Sequence, residues 1–305
     1  MNILIQVDAV LPVYLYGGTE RVMWYLGKEL AGMGHNVTFL SRKGSEAPFA
    51  RIIPYNPSLP YSAQIPDDID IVHFNNFVPE GFDTKPYIVT FHGNAVPTDR
   101  PADSVFVSRN HANRFGSDNY VYNGMDWNDY GPVALAKRHG YFHFLGKAAW
   151  RVKNVRGAVR IIDAVPDARL MVLGGTRLNF KMGFRFTLSR KASFKGMVGG
   201  EEKLRWMKGS EGLIFPVVWD EPFGLAITES LYCGAPVFGS ARGSLPELVI
   251  PEVGFLSNDE SELAAHIRGH RGDYSPRLCH EYAADNFNSR IMAEEYLKRY
   301  EARLG

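Results

Sequence analysis

The 305-residue sequence has only two cysteines, Cys233 and Cys279. That is too few for a disulfide scaffold or a cysteine-based zinc site. It also lacks a charge imbalance. Thirty-four basic residues stand against 33 acidic ones, for a net charge of +1, which gives no electrostatic footprint for nucleic acid. No apolar run has the length of a membrane span. The opening MNILIQVDAV has no basic leader and no small-residue cleavage site, and reads as a strand. A cytoplasmic setting is therefore expected, in which the sequon Asn36-Val37-Thr38 goes unused. No G-x-G-x-x-G follows a strand, so the dinucleotide fingerprint is missing.

What is present is an α/β alternation. Hydrophobic residues make up 45% of the chain and charged residues 22%, ordinary for a globular protein and, at this length, enough for two cores. In the first half, strands are expected at Asn2–Val7, Asn36–Ser41, Asp70–Phe74, Tyr87–Phe91, Ser104–Ser108 and Tyr120–Tyr122. A helix over Thr19–Met33 follows the loop Asp8–Tyr16 and the pair Gly17-Gly18. In the second half, strands are expected at Tyr141–Leu145, Leu170–Gly175, Phe194–Val198, Leu213–Val218 and Pro236–Gly239, with helices between and after them. Both halves place glycines, cations or carboxylates where strands end, which is where doubly wound sheets bind ligands.

The richest stretch is Phe215–Val249, FPVVWDEPFGLAITESLYCGAPVFGSARGSLPELV. A buried strand runs into Asp220-Glu221, and a helix starts near Phe223-Gly224. Gly224 lets the backbone approach a ligand. The amides of Phe223, Gly224 and Leu225 lie at a helix N-terminus and suit a phosphate. Glu221, just ahead of an anion site, needs another task, and accepting hydrogen bonds from sugar hydroxyls is one. Glu229 lies about two turns into the helix and can accept from a second diol, such as a ribose. A phosphate flanked by polyols describes a nucleotide sugar.

Other strand ends carry further candidates. Lys147, Arg151 and Lys153 crowd one strand-to-helix turn and suit a diphosphate. His92 ends the strand Tyr87–Phe91, with Asn94 beside it, and Gly174 ends the strand Leu170–Gly175. Asp68-x-Asp70 has the form of a metal-binding D-x-D, but it precedes a buried strand and is read as structural. Residues 177–196, RLNFKMGFRFTLSRKASFKG, are basic and rich in phenylalanine. The preferred reading is a helix plus a strand with its phenylalanines in the core. The alternative is peripheral membrane contact through 177–195, to anionic lipid or a lipid-linked acceptor.

Glu221 and Glu229 match an E-x7-E signature, and the surrounding EPFGL, ES, CGAPV and LPELV resemble the retaining GT-B glycosyltransferases of family 4, glycosyltransferase group 1. YGGTERV is similar to that family's glycine-rich loop, which closes against donor diphosphate and acceptor. VTFHG is similar to the segment whose histidine approaches the transferred sugar, and VYNGMD to the exit from the first domain. At Gly146–Asn154 the family usually shows G-R-(x)n-K-G. Lys147 takes the Arg position and Lys153 the Lys position, with Asn154 for Gly and one extra residue of spacing, which makes Arg151 a competitor to Lys147.

The resemblance implies two Rossmann-like doubly wound domains facing a central cleft. They would span 1–126, shortened and on the acceptor side, and 139–286, which binds the donor. A linker at 127–138 would join them, and a helix over 287–305 would cross back. It implies transfer of a hexose-type sugar, with retention and without a metal or other cofactor, from a UDP- or GDP-linked donor. The acceptor hydroxyl would belong to a carbohydrate, a lipid-linked molecule or a small molecule. Glu221, His92 and Lys153 would be catalytic. Gly17, Gly18, Lys147, Gly174, Met197, Phe223, Gly224, Leu225 and Glu229 would join Lys153 in binding the donor, with the base near Met197. Asn94 and Glu20 would lie on the acceptor or sugar side. The rival readings are a non-catalytic nucleotide-sugar-binding subunit, an epimerase of the same fold and, more distantly, a nicotinamide dehydrogenase.

Overall fold

A computed structural model describes all residues except 14–16, 136–137 and 181. The end of the expected loop Asp8–Tyr16, two positions of the expected linker and Lys181 thus lie outside the described residues. The chain divides into two compact units, Met1–Trp127 with Phe287–Gly305, and Asn128–Asn286.

Unit 1 is built on β1 (Asn2–Val7), α1 (Gly18–Gly32), β2 (Asn36–Ser41), β3 (Arg51–Pro54), β4 (Ile71–Asn75), β5 (Tyr87–Phe91), β6 (Val105–Phe106) and α2 (Arg109–Arg114). Its six strands run parallel in the order β3-β2-β1-β4-β5-β6. β1 and β4 are apolar along most of their length, as a parallel strand covered on both faces must be. Leu4, Val72, Phe74, Phe91 and Phe106 join one core cluster. The expected strand Tyr120–Tyr122 is reduced to a single bridge, Phe106 to Tyr120.

Unit 2 holds β7 (Phe142–Leu145), α3 (Val155–Asp163), β8 (Leu170–Leu173), β9 (Leu178–Asn179), β10 (Arg185–Phe186), β11 (Ala192–Phe194), α4 (Gly200–Lys208) and β12 (Leu213–Phe215). After these come α5 (Leu225–Tyr232), β13 (Val237–Gly239), α6 (Leu245–Leu248), β14 (Gly254–Leu256), α7 (Glu260–His270) and α8 (Pro276–Asn286). Its main sheet has six parallel strands in the order β11-β8-β7-β12-β13-β14. This repeats the order of unit 1, and both are Rossmann-like doubly wound sheets. The core lies between α3, α7 and the sheet, around Phe142, Phe144, Ile161, Val172 and Phe238. Cys233 and Cys279 are buried free thiols, and burial pushes both up to about 12.

The last helix, α9 (Ser289–Leu304), belongs to unit 1 and packs on α1 and β5. Its fully buried Tyr300 lies 2.8 Å from Nδ1 of His73, whose Nε2 lies 2.8 Å from the Thr90 hydroxyl. Burial drives the His73 pKa down to about 3, so it is a neutral bridge between hydroxyls.

Residues 177–188 depart from expectation. They form an antiparallel hairpin, β9 with β10, in place of a helix. Its phenylalanines are not core: Phe180 is 68% and Leu188 81% exposed, while Arg185 is 6%. The reason is local. The Arg185 guanidinium donates to Thr176 O at 2.8 Å and Thr187 Oγ1 at 3.1 Å and lies over the Phe194 ring, so the polar residues of the alternation hold the inner positions. Only Phe194 packs against the core, and it ends β11, shorter than the strand expected to reach Val198.

Candidate functional site

In unit 2 the strand order reverses between β7 and β12. Loops leaving their carboxyl ends part to opposite faces, and a ligand crevice opens there. The loop after β7 tightens into a 3-10 turn, Arg151–Lys153, and Asn154 then adopts the left-handed region at φ 53°. Asparagine tolerates that conformation better than most residues. Its side chain also joins two elements. Oδ1 caps α3 by accepting from Gly157 N at 3.0 Å, and Nδ2 donates to Pro216 O at 2.9 Å.

This brace carries Lys153 to the loop after β12. Lys153 Nζ donates to Glu221 Oε2 at 2.6 Å, and the indole of Trp219 donates to the same oxygen at 2.8 Å. The ammonium also lies 5.0 Å from the Trp219 ring centroid and 5.3 Å from that of Phe215. The Glu221 backbone is held by the turn ahead of α6. Ser244 N donates to Glu221 O at 2.9 Å, and a Cβ at Gly243, whose φ is 58°, would collide with Glu221 N and O. Gly224 starts α5 at φ 88°, with no side chain capping the first turn. Lys153, Glu221 and the Phe223–Leu225 segment are thus brought together.

Glu229 is placed elsewhere on α5, and is buried. Lys203 of α4 donates to its Oε1 at 2.6 Å, and Tyr130 donates to the same oxygen. The described residues of 128–138, within the stretch read as a linker, belong to unit 2. Behind them His143, fully buried, lies 2.8 Å from both Ser210 Oγ and Ser230 Oγ, and burial lowers its pKa to about 3.

The remaining expected donor residues spread along the same loops. The Lys147 ammonium lies 5.4 Å from the Trp150 ring centroid. Arg151 is exposed and lines a cavity of about 310 Å³ with Met182, Gly183 and Phe184, apart from Lys153 and Glu221. Gly174 N donates to Gly196 O at 2.7 Å, and Gly174 O accepts from Ala148 N at 2.7 Å, which stitches β7, β8 and β11 at their ends. Met197 lies just beyond, exposed.

In unit 1, Gly17 caps α1 without a side-chain bond, and Glu20 curls back so that its carboxylate lies over Gly17. His92 follows β5. Asn75 Nδ2 donates to Gln6 O at 2.7 Å, which turns Asn75 Oδ1 toward His92 Nε2 at 2.8 Å. His92 is therefore an Nε2–H tautomer, and its Nδ1 has no hydrogen-bond partner among the described residues. Burial, then the nearby His111, lowers its pKa to about 3. Asn76, in the left-handed region at φ 66°, accepts the His92 backbone N–H at 2.8 Å. Asn94 points to another partner: Arg114 Nη2 donates to its Oδ1 at 3.0 Å. Asp68 accepts from Arg51 at 3.1 Å and Asp70 from Asn2 N at 2.7 Å, at the amino end of β4.

Sequence reasoning missed Trp219, Lys203, Tyr130, Asn75 and Asn76. Trp219 stands in the quoted motif, two positions before Glu221. Asn75 and Asn76 directly follow the expected strand Asp70–Phe74. Lys203 and Tyr130 lie far from Glu229 in the chain and leave no local sign.

A family model described as "Glycosyl transferases group 1" matches residues 140–270, and one described as "Glycosyltransferase Family 4" matches residues 16–127. A curated relative, GDP-mannose-dependent alpha-(1-6)-phosphatidylinositol dimannoside mannosyltransferase of Mycobacterium tuberculosis, is 29% identical over 119 residues. That match covers 37% of this chain and 30% of the relative, so the chain matches about a third of that protein's length. Among solved structures, AviGT4, a glycosyltransferase involved in avilamycin A biosynthesis, superposes with a TM-score of 0.79 at 20% identity, over 99% of this chain and 98% of that one. Anabaena HepE in complex with UDP and glucose gives 0.69 at 14% identity, over 99% and 100%.

Proposed function

The chain belongs to the group 1, family 4 glycosyltransferases and has their GT-B fold, and from that premise we propose that it transfers a hexose-type sugar, with retention and without a metal, from a nucleotide diphosphate donor to an acceptor hydroxyl. The observation that carries the reading is the Lys153–Glu221–Trp219 cluster at the switch point of unit 2. An ammonium has three donor directions. Lys153 spends one on Glu221 and offers others to the departing diphosphate, whose charge it stabilises together with Lys147 or Arg151 and the start of α5. Both bonds to Glu221 fall on Oε2, and we assign Oε1 to the hydroxyls of the sugar. Glu229 is assigned to the ribose, Met197 and Gly174 to the base side, and the His92 Nδ1 lone pair to a substrate hydroxyl. Gly17, Gly18, Glu20 and Asn94 stay assigned to the diphosphate and acceptor sides.

The GDP-mannose named for the curated relative makes mannose the sugar to test first. The phosphatidylinositol dimannoside in the same relative's name supports glycan or glycoconjugate assembly as the setting to test for this chain's product. The test is thermal shift against GDP-, UDP-, ADP- and dTDP-sugars, with Lys153→Ala beside the wild type. A shift with GDP-mannose that Lys153→Ala removes is expected, followed by transfer that survives EDTA. No shift with any donor would overturn the donor reading. Metal-reversible loss of transfer would overturn metal independence.

A further inference from the structure

The β9–β10 hairpin is inside out. In a half-buried strand the apolar alternates face the core. Here Leu178, Phe180, Met182, Phe184, Phe186 and Leu188 are all exposed, while Arg185 and Thr187 are buried. Leu178 and Phe186 are directly paired across the strands and so share one face. The Phe180 and Phe184 rings lie 5.7 Å apart near the tip. A slip of one residue would bury this apolar set. The slip is blocked, because Arg185 is anchored beneath by two hydrogen bonds and the Phe194 ring. Arg177 adds a second clamp, donating to Thr187 O at 2.6 Å and Ser189 O at 2.8 Å. The chain therefore spends polar anchors to hold aromatic and aliphatic side chains in water, and a contiguous exposed patch of that kind marks an interaction surface.

Charge selects the occupant. Residues 177–195 contain Arg177, Lys181, Arg185, Arg190, Lys191 and Lys195 and no acidic residue, in a chain whose net charge is only +1. Exposed Arg190 follows the apolar row, and exposed Arg156 donates to Phe184 O at 3.0 Å, which places it beside the tip. A second copy seated symmetrically on this face would set exposed Arg190 and Arg156 against cations of the same kind. An anionic surface meets both features at once: aromatic rings settle at the water–lipid boundary while arginine and lysine meet the head groups. We propose that the β9–β10 hairpin of unit 2 docks on an anionic lipid bilayer, with its apolar row entering the interface and the flanking cations holding the head groups. Docking needs neither donor nor acceptor, so it stands or falls separately from the transfer reading.

The test is flotation of the full chain, without substrates, with vesicles of phosphatidylcholine alone and with a roughly 7:3 mixture of phosphatidylcholine and phosphatidylglycerol. The chain is expected to float with the mixed vesicles and not with the neutral ones, and to come off as salt rises. The triple variant Phe180→Ser, Phe184→Ser, Leu188→Ser changes exposed side chains and should keep the wild-type melting temperature while its bound fraction falls at least about fivefold. Arg190→Glu, which leaves the apolar row intact, probes the same face through charge and should weaken binding in the same direction. Failure to float with mixed vesicles would overturn the proposal. So would equal flotation of the triple variant, or a wild-type dimer in light scattering that the triple variant turns into a monomer.

Discussion

Two lysine–glutamate pairs in unit 2 have the same 2.6 Å separation and different surroundings. Their glutamates are the two ends of one E-x7-E motif. Glu221 sits in a loop and shares its oxygen with the indole of half-buried Trp219, between exposed Val218 and Asp220. Glu229 sits on a helix and shares its oxygen with buried Tyr130, and its pair ties α4, α5 and the 128–130 segment together. Burying two charges gains little net stability, but removing one partner of a buried pair is costly. Both pairs are buried, so each is costly to break; the pair on Glu229 clamps three elements, and the pair on Glu221 is the one we assign to the sugar and the departing diphosphate. A motif that looks symmetric in sequence thus places its two glutamates in different surroundings, one in a loop and one on a helix.

The comparison can be broken most sharply at the clamp. Lys203→Met, which takes the cation from Glu229, should destabilise the protein by about 3–5 kcal/mol, read from urea denaturation. A loss equal to that of a surface lysine would remove the clamp reading. Glu221→Gln keeps the shape of the other half and removes its charge. We expect kcat/KM for transfer to fall by about 10²–10³-fold with the fold intact by circular dichroism; unchanged kinetics would assign the chemistry elsewhere. Gly243→Ala acts on Glu221 without touching its side chain, by forcing a Cβ into its backbone. A cost of about 1–3 kcal/mol in stability, with a matching loss of transfer, would place the turn ahead of α6 among the supports of that loop. The smallest effect is expected for Trp219→Phe, which keeps a ring near Lys153 and removes one hydrogen bond to Glu221. That bond is worth about 0.5–1.5 kcal/mol, a severalfold drop in kcat with KM for the donor nearly steady.

Much of the fold was legible because parallel strands buried on both faces read as apolar runs. β1, β2, β4, β5, β7, β8, β12 and β13 all stand where such runs occur. The short β14 and α6 escaped notice, since three or four residues carry no period. Glu221 and Lys153 were legible as candidates, because each lies in a loop that follows a strand and leads into a helix. Their mutual bond was not, nor were Lys203 and Tyr130, because contacts between distant elements depend on how the helices pack. The hairpin misled for a different reason. Its alternation was present, but a period of two does not say which set faces inward, and the arginine rather than the phenylalanines had partners within reach.

One feature of unit 1 bears on how the chain is made. The strands β1 to β6 leave the ribosome before unit 2, yet the tyrosines that close over His73 and Thr90 belong to α9, which follows it. Unit 2 is uninterrupted in the chain and can finish folding during synthesis, as continuous domains do. Unit 1 must wait through the whole translation of unit 2 with the His73 side of its sheet uncovered. The unit whose strands are translated before unit 2 is therefore completed after it, and its exposure to chaperones is set by the length of the unit inserted within it.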